Sequence, residues 1–220
     1  MKKSVLLCGC AALGAASAWG NVEYSTQTLD GVVNNSETYV NVLANSIVSL
    51  KGASSFPAAT FNMSTSAQLV LAEGEESASL KAKDFAHGSS VVIGEGVLLA
   101  AEIQSQTTKN RTLTINGEVK AVNTGLYSDG GISRFTGTGT LWVDNLQVRN
   151  PNQGGVNSSN AGQISFTNLR LNLQGSGGTI VGRQWGNLTF DNMTVGFWGR
   201  NTQWNRGPEG TANTVFYNTV

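Results

Sequence analysis

Cysteine is scarce in this 220-residue chain: there are 2, Cys8 and Cys10, and both fall in the first twenty residues. Once that leader is set aside, nothing remains to make a disulfide or a thiolate metal site, so stability has to come from packing and backbone ladders. Histidine is scarcer still, at 1 residue, which removes any multi-histidine metal cluster. Charged residues make up only 13% of the chain, and without Lys2 and Lys3 there are 12 basic residues against 14 acidic. A nucleic-acid partner needs a basic face, and this balance speaks against one. Apolar runs long enough for a membrane-spanning helix are missing, as are apolar runs of helical period. Gly, Asn, Ser and Thr abound instead, and they are poor residues for a helix interior.

The leader reads as a secretory signal over residues 1–20. Lys2 and Lys3 form a basic start, Val5 to Leu13 an apolar stretch, and Ala16-Ser17-Ala18 a small-x-small cleavage site, with cleavage after Gly20 as the alternative. Leu7-Cys8-Gly9-Cys10 loosely resembles a lipoprotein processing box, which would leave Cys10 as a lipid anchor. Its preceding regions are short for that, and ordinary cleavage is the favoured reading. The protein is expected to be exported, to the cell surface, the exterior or the periplasm.

What is present is a repeat. Leu141-Trp142-Val143-Asp144-Asn145-Leu146-Gln147-Val148 aligns with Ile164-Ser165-Phe166-Thr167-Asn168-Leu169-Arg170-Leu171 and with Leu188-Thr189-Phe190-Asp191-Asn192-Met193-Thr194-Val195. A shortened copy, Phe216-Tyr217-Asn218-Thr219-Val220, follows. Weaker copies at Leu69–Leu71, Val91–Ile93 and Leu113–Ile115 step by 22, each followed by a glycine (Gly74, Gly96, Gly117), and Ile47–Leu50 precedes them. A fixed period of this length marks a repeat architecture. Within a unit, Leu141 and Val143 alternate with Trp142 and so share one face. Asparagine and glycine tolerate the left-handed backbone that a tight bend requires. Parallel stacking would superpose Asn145, Asn168, Asn192 and Asn218 about 4.8 Å apart as an amide ladder. It would also fill the lumen with columns such as Leu141/Ile164/Leu188 and Val143/Phe166/Phe190.

The expected fold is therefore all-β: a single-stranded, right-handed parallel β-helix of about 7–8 rungs over residues 45–220, with 21–44 as an N-terminal capping segment. An antiparallel β-sandwich is the alternative. With Gly137-Thr138-Gly139-Thr140-Leu141 similar to the Gly-Thr-Leu phrase of autotransporter-associated strand repeats, the chain resembles the β-helical passengers of bacterial autotransporters and related adhesins over roughly 45–220. More distantly it is similar to pectate-lyase-type β-helices. The Gly-Gly pairs near Phe-x-Asn units faintly resemble polymorphic outer-membrane passengers, whose motif is Phe-x-x-Asn and is not matched here. The resemblance implies a fold and a surface location, and no activity.

Chemistry is thin. Asp144 and Asp191 occupy equivalent repeat positions, which on a parallel stack would lie about 9.6 Å apart with Thr167 between. That is near the upper limit for an inverting carboxylate pair, so a polysaccharide lyase or glycoside hydrolase is the alternative function. Asp before Asn equally suits a turn. His87, in Ala86-His87-Gly88-Ser89, is expected in a surface loop. Glu73, Glu75 and Glu76 read as a solvated corner; no metal or cofactor is expected.

Binding has better material: Trp142, Arg183, Trp185, Trp198, Arg200, Trp204 and Arg206 gather in the C-terminal half, and exposed aromatics beside arginines suit a polysaccharide or cell-surface glycan. Trp142 should project away from the lumen, and Trp204 should lie in a loop. Because the sequence stops within a rung, self-association through an open C-terminal end is a further expectation. The favoured function is a non-catalytic, exported, adhesive or structural solenoid. The leader is checked by the intact mass of the native exported product, which should lack residues 1–18 or 1–20; a full-length mass, or lipid on Cys10, refutes ordinary cleavage.

Overall fold

The computed structural model describes residues 20–103, 110–129, 132–149, 163–174, 179–184, 187–198, 203–206, 214–217 and 219–220. Its strands are β1 (Asn21–Tyr24), β2 (Gln27–Asp30), β3 (Tyr39–Val42), β4 (Ile47–Met63), β5 (Gln68–Leu71), β6 (Ala78–His87) and β7 (Val91–Ile93). There follow β8 (Val97–Ile103), β9 (Arg111–Ile115), β10 (Glu118–Asp129), β11 (Ile132–Thr136), β12 (Thr140–Arg149) and β13 (Gln163–Thr167). The last are β14 (Arg170–Gln174), β15 (Thr179–Gln184), β16 (Asn187–Asp191), β17 (Thr194–Trp198), β18 (Gln203–Arg206) and β19 (Thr214–Tyr217). Every pairing among them is parallel and joins one turn of chain to the next, which makes a β-solenoid and rules out the sandwich. No helix of the described residues is long and apolar enough to cross a membrane.

Each turn carries three strand segments where two were expected. The first face stacks β2, the start of β4, β5, β7, β9, β11, β13, β16 and β19. The second runs through the middle of β4 and the starts of β6, β8, β10 and β12 to β14 and β17. The third joins β1, β3 and the ends of β4, β6 and β8, and continues through the ends of β10 and β12 to β15 and β18. The rung count differs slightly from the 7–8 expected. Residues 21–44 carry strands of their own, β1, β2 and β3, which pair into the stack.

Corners are set by residues that accept a left-handed backbone. Between the first and second faces these are Gly31, Gly52, Gly74, Gly96, Gly137, Asn168 and Asn192; between the third and first they are Asn45, Ser66, Ser90 and Asn110. The bend between the second and third faces is made by register shifts, at Phe56/Thr60, Lys81/Asp84 and Ala121/Gly125.

These corners correct the repeat alignment. The chain turns at Gly137–Gly139, so Leu141–Val143 already belongs to the second face, opposite Val119–Ala121 and Leu171–Leu173. The column beneath Phe166 and Phe190 is therefore Phe135, not Val143, and Leu141 stacks with Val119 and Leu171 rather than with Ile164. Asn145 falls within β12, opposite Gly125, and not at the corner that Asn168 and Asn192 occupy. Farther up the chain, Val91 pairs with Leu113 as expected, whereas Leu69 pairs with Ile93, two residues along. A slip of two preserves which side chains face inward.

Inward columns are largely apolar, with His87 and Ser133 as polar exceptions, and Phe135, Phe166 and Phe190 form a stack with centroids 5.4 and 5.5 Å apart. Truncating the middle ring opens a cavity that its neighbours cannot close without breaking register. Phe166→Ala should cost about 3–5 kcal/mol in chemical denaturation. At the corner, a Cβ on Gly139 would lie 2.0 Å from the Gly117 carbonyl oxygen in the turn below. Gly139→Ala should therefore lower the unfolding midpoint clearly, whereas Gly52→Ala, with open space around it, should pay only for its φ of 64°.

Candidate functional site

The predicted asparagine ladder exists for two of its four members. Asn168 and Asn192 take φ values of 62° and 51°, and Asn192 Nδ2 donates to Asn168 Oδ1 at 2.8 Å. Both are exposed, so the contact props up a corner and contributes a modest net energy. Asn218 and the side chain of Asn145 lie outside the described residues. A second amide pair not foreseen from sequence, Asn62 Nδ2 donating to Asn41 Oδ1 at 3.2 Å, stands on the outer side of the third face.

The acidic pair comes apart. Asp191 stacks on Thr167, which stacks on Thr136, giving an outward column Thr114–Thr136–Thr167–Asp191 on the first face. Asp144 lies in β12, at the passage from the second face to the third, because the glycine corner has moved that whole unit one strand onward. The two residues therefore share no row of the stack, and the equivalence that the repeat alignment gave them does not hold. Glu73, Glu75 and Glu76 sit at and around the corner glycine Gly74, and no group of three or more His, Cys, Asp and Glu among the described residues is placed to hold a metal ion.

Trp142 is outward and half-buried between inward Leu141 and Val143, as its alternation requires. It stacks between Lys120 and Asn172, with Lys120 Nζ 5.9 Å from the indole centroid and 3.4 Å from Glu118 Oε1. Two residues before it, Thr140 lines an open groove of about 760 Å³ that follows the corner between the first and second faces. Ser79, Asn116, Glu118 and Thr138 line it too, over successive turns. Asn116 Oδ1 accepts from the Thr138 backbone N–H at 3.3 Å, which ties two of those turns together. The lining mixes these polar groups with Ala53, Ala78, Val97 and Leu98, and Trp142 and Lys120 stand on the same face outside it.

Of the remaining arginines and tryptophans, Arg183, Trp198, Trp204 and Arg206 lie on strands rather than in loops. Trp204 and Arg206 lie in β18, whose ladder to β15 matches Trp204 with Val181 and Arg206 with Gln184, while Trp198 ends β17 opposite Gln174. Arg183 is in β15. Strand pairing with the previous turn organises a segment whose own pattern does not alternate. Trp185 and Arg200, and the side chains of Arg183, Trp198, Trp204 and Arg206, lie outside the described residues.

His87 is the other correction. It is 1% exposed, at an inward position of β6 opposite Met63, with its ring stacked on Phe85 at 5.8 Å. The spacing from Phe85 was the available signal, since residues two apart on a strand share a side. Burial, and then the charge of Arg111, push the imidazole down to about 4, against the opposing pull of its hydrogen bond to the Gly88 carbonyl.

Compared with protein-family models, with curated proteins and with solved structures, the chain matches none. The likeness to autotransporter passengers therefore has the solenoid behind it and no relative. The asparagine corner is separately testable: Asn168→Ala should lose about 1–2 kcal/mol through the ladder bond and left-handed strain, and Asn168→Gly should recover most of it. Equal losses in urea titrations would show that the strain plays no part.

Proposed function

We propose that this chain is an exported, non-catalytic solenoid of the passenger type that binds glycan on its second face, along the corner groove, with Trp142 as the aromatic platform. The observation that carries this reading is the placement of outward, half-buried Trp142, with Lys120 over its ring, on the strand whose Thr140 lines the 760 Å³ groove. Supporting it, the inward columns fill the lumen with apolar side chains, so what the molecule presents to a partner is its lateral faces. Those faces carry in-register polar columns at the rung spacing of about 4.8 Å, a layout matched to a repetitive chain rather than to a small metabolite. The passenger-type assignment draws on the leader, the Gly-Thr-Leu phrase and the parallel solenoid together.

A glycan array probed with the mature protein, with polysaccharide depolymerisation read in parallel, tests the proposal. Binding without release of oligosaccharides is the expected result. Trp142→Ala should weaken that binding about tenfold or more while leaving the unfolding midpoint within a few degrees, as expected for loss of a stacking contact. Release of oligosaccharides that Asp144→Ala or Asp191→Ala abolishes would overturn the non-catalytic reading in favour of a lyase or hydrolase.

A further inference from the structure

The lumen contains one ionisable ring, and its surroundings suit only the neutral form. His87 Nδ1 lies 2.9 Å from the Gly88 carbonyl oxygen, which can only accept, so Nδ1 carries the proton. Nε2 is buried and has no hydrogen-bond partner. Phe85 stacks on one side of the ring, and Met63 is its neighbour in the turn below. From β9, Arg111 donates its Nη1 to the His87 backbone oxygen, which brings a guanidinium next to the imidazole. Arg111 is the charged group that acts on the ring among the described residues. Lys83 and Asp84, paired at 3.9 Å, belong to the bulge of β6, and Glu102 of β8 stacks outward on Asp84.

A proton added at Nε2 would create a buried cation with no acceptor, beside another cation. A buried charge without a partner is costly and favours a state that exposes it to water. We propose that His87 is an acid-sensitive latch on the third face: protonation drives its ring out of the lumen and opens the corner at residues 87–90, breaking the contact with β9. The corner leaves the ring no room to shift in place. Ser90 holds a left-handed φ of 59°, and Gly88 is packed so closely on Ser64 and Thr65 that a Cβ there would lie 2.5 Å from the Thr65 nitrogen. Displacing the ring therefore unseats the stacking of this corner on the turn below.

The direction follows from proton linkage. The open state binds a proton with the ordinary histidine value of 6.5, and the closed state resists until about 4. The closed form thus has its full stability above pH 6.5 and loses it as the pH falls toward 4, by up to roughly 300-fold in the closed-to-open ratio.

Because the chain has 1 histidine, its ring resonances can be followed in the full-length protein without assignment ambiguity. The expected result is a neutral, Nδ1-protonated signal that persists below pH 6 and is replaced by a separate protonated signal as the corner opens. Hydrogen exchange in peptide 85–92 should rise before that in 47–56. A single signal titrating smoothly with a midpoint near 6.5 would overturn the proposal, and so would exchange that rises equally everywhere. His87→Phe should remove the acid-dependent fall in the unfolding midpoint between pH 6.5 and 4.5; a fall as steep as in the wild type also overturns it. If that variant does not fold, the wild-type titration alone decides.

Discussion

Everything in this molecule depends on the requirement that each turn of chain lie in parallel register on the previous one, about 4.8 Å away. That spacing leaves room for extended backbone and little else. Where the chain enters or leaves the first face, the bend must be tight enough to stack, and it is made by a left-handed residue whose side chain does not collide with the turn beneath. Glycine meets both conditions at Gly137, with the Ile115 carbonyl within 2.2 Å of any added Cβ, and at Gly139 it meets the second, with the Gly117 carbonyl within 2.0 Å. Asparagine meets them at Asn168 and Asn192 by projecting outward and bonding to its own copy.

The same register governs the interior. Columns of like side chains run along the axis, and the Phe135–Phe166–Phe190 stack shows how a turn can change length without disturbing them. Thirty-one residues separate the first two rings and twenty-four the second two, and both pairs still meet face to face. The interior tolerates one polar ring, His87, at the end of a strand where the next corner begins, and there it stays neutral.

Outside, register turns isolated residues into rows. A threonine on one turn acquires threonines above and below, and Trp142 acquires Lys120 and Asn172. Surface chemistry in such a fold is therefore a property of columns, and a residue's partners are set by the corner that precedes it. The dispersal of Asp144 and Asp191 follows from the same rule. They share a local phrase, but their preceding corners place them on different parts of the turn.

The parallel solenoid, its inward and outward alternation and the Asn168–Asn192 corner were legible in the sequence, because period-2 patterning and left-handed tolerance are local properties of the chain. The strand–Asn–strand phrase at Asp144-Asn145 was legible only in part: it matched in letters, while Gly137–Gly139 had already spent the turn. Three segments per rung, the strand character of β18 and the burial of His87 were decided by the tertiary stack. Bends made by register shifts carry no residue signature, a ladder can organise a segment that does not alternate, and a histidine two residues from Phe85 is inside only because a neighbouring turn covers it. Sequence alone thus determined what each strand turns inward; only stacking decided which turn it lies upon, and with that which surface residues meet.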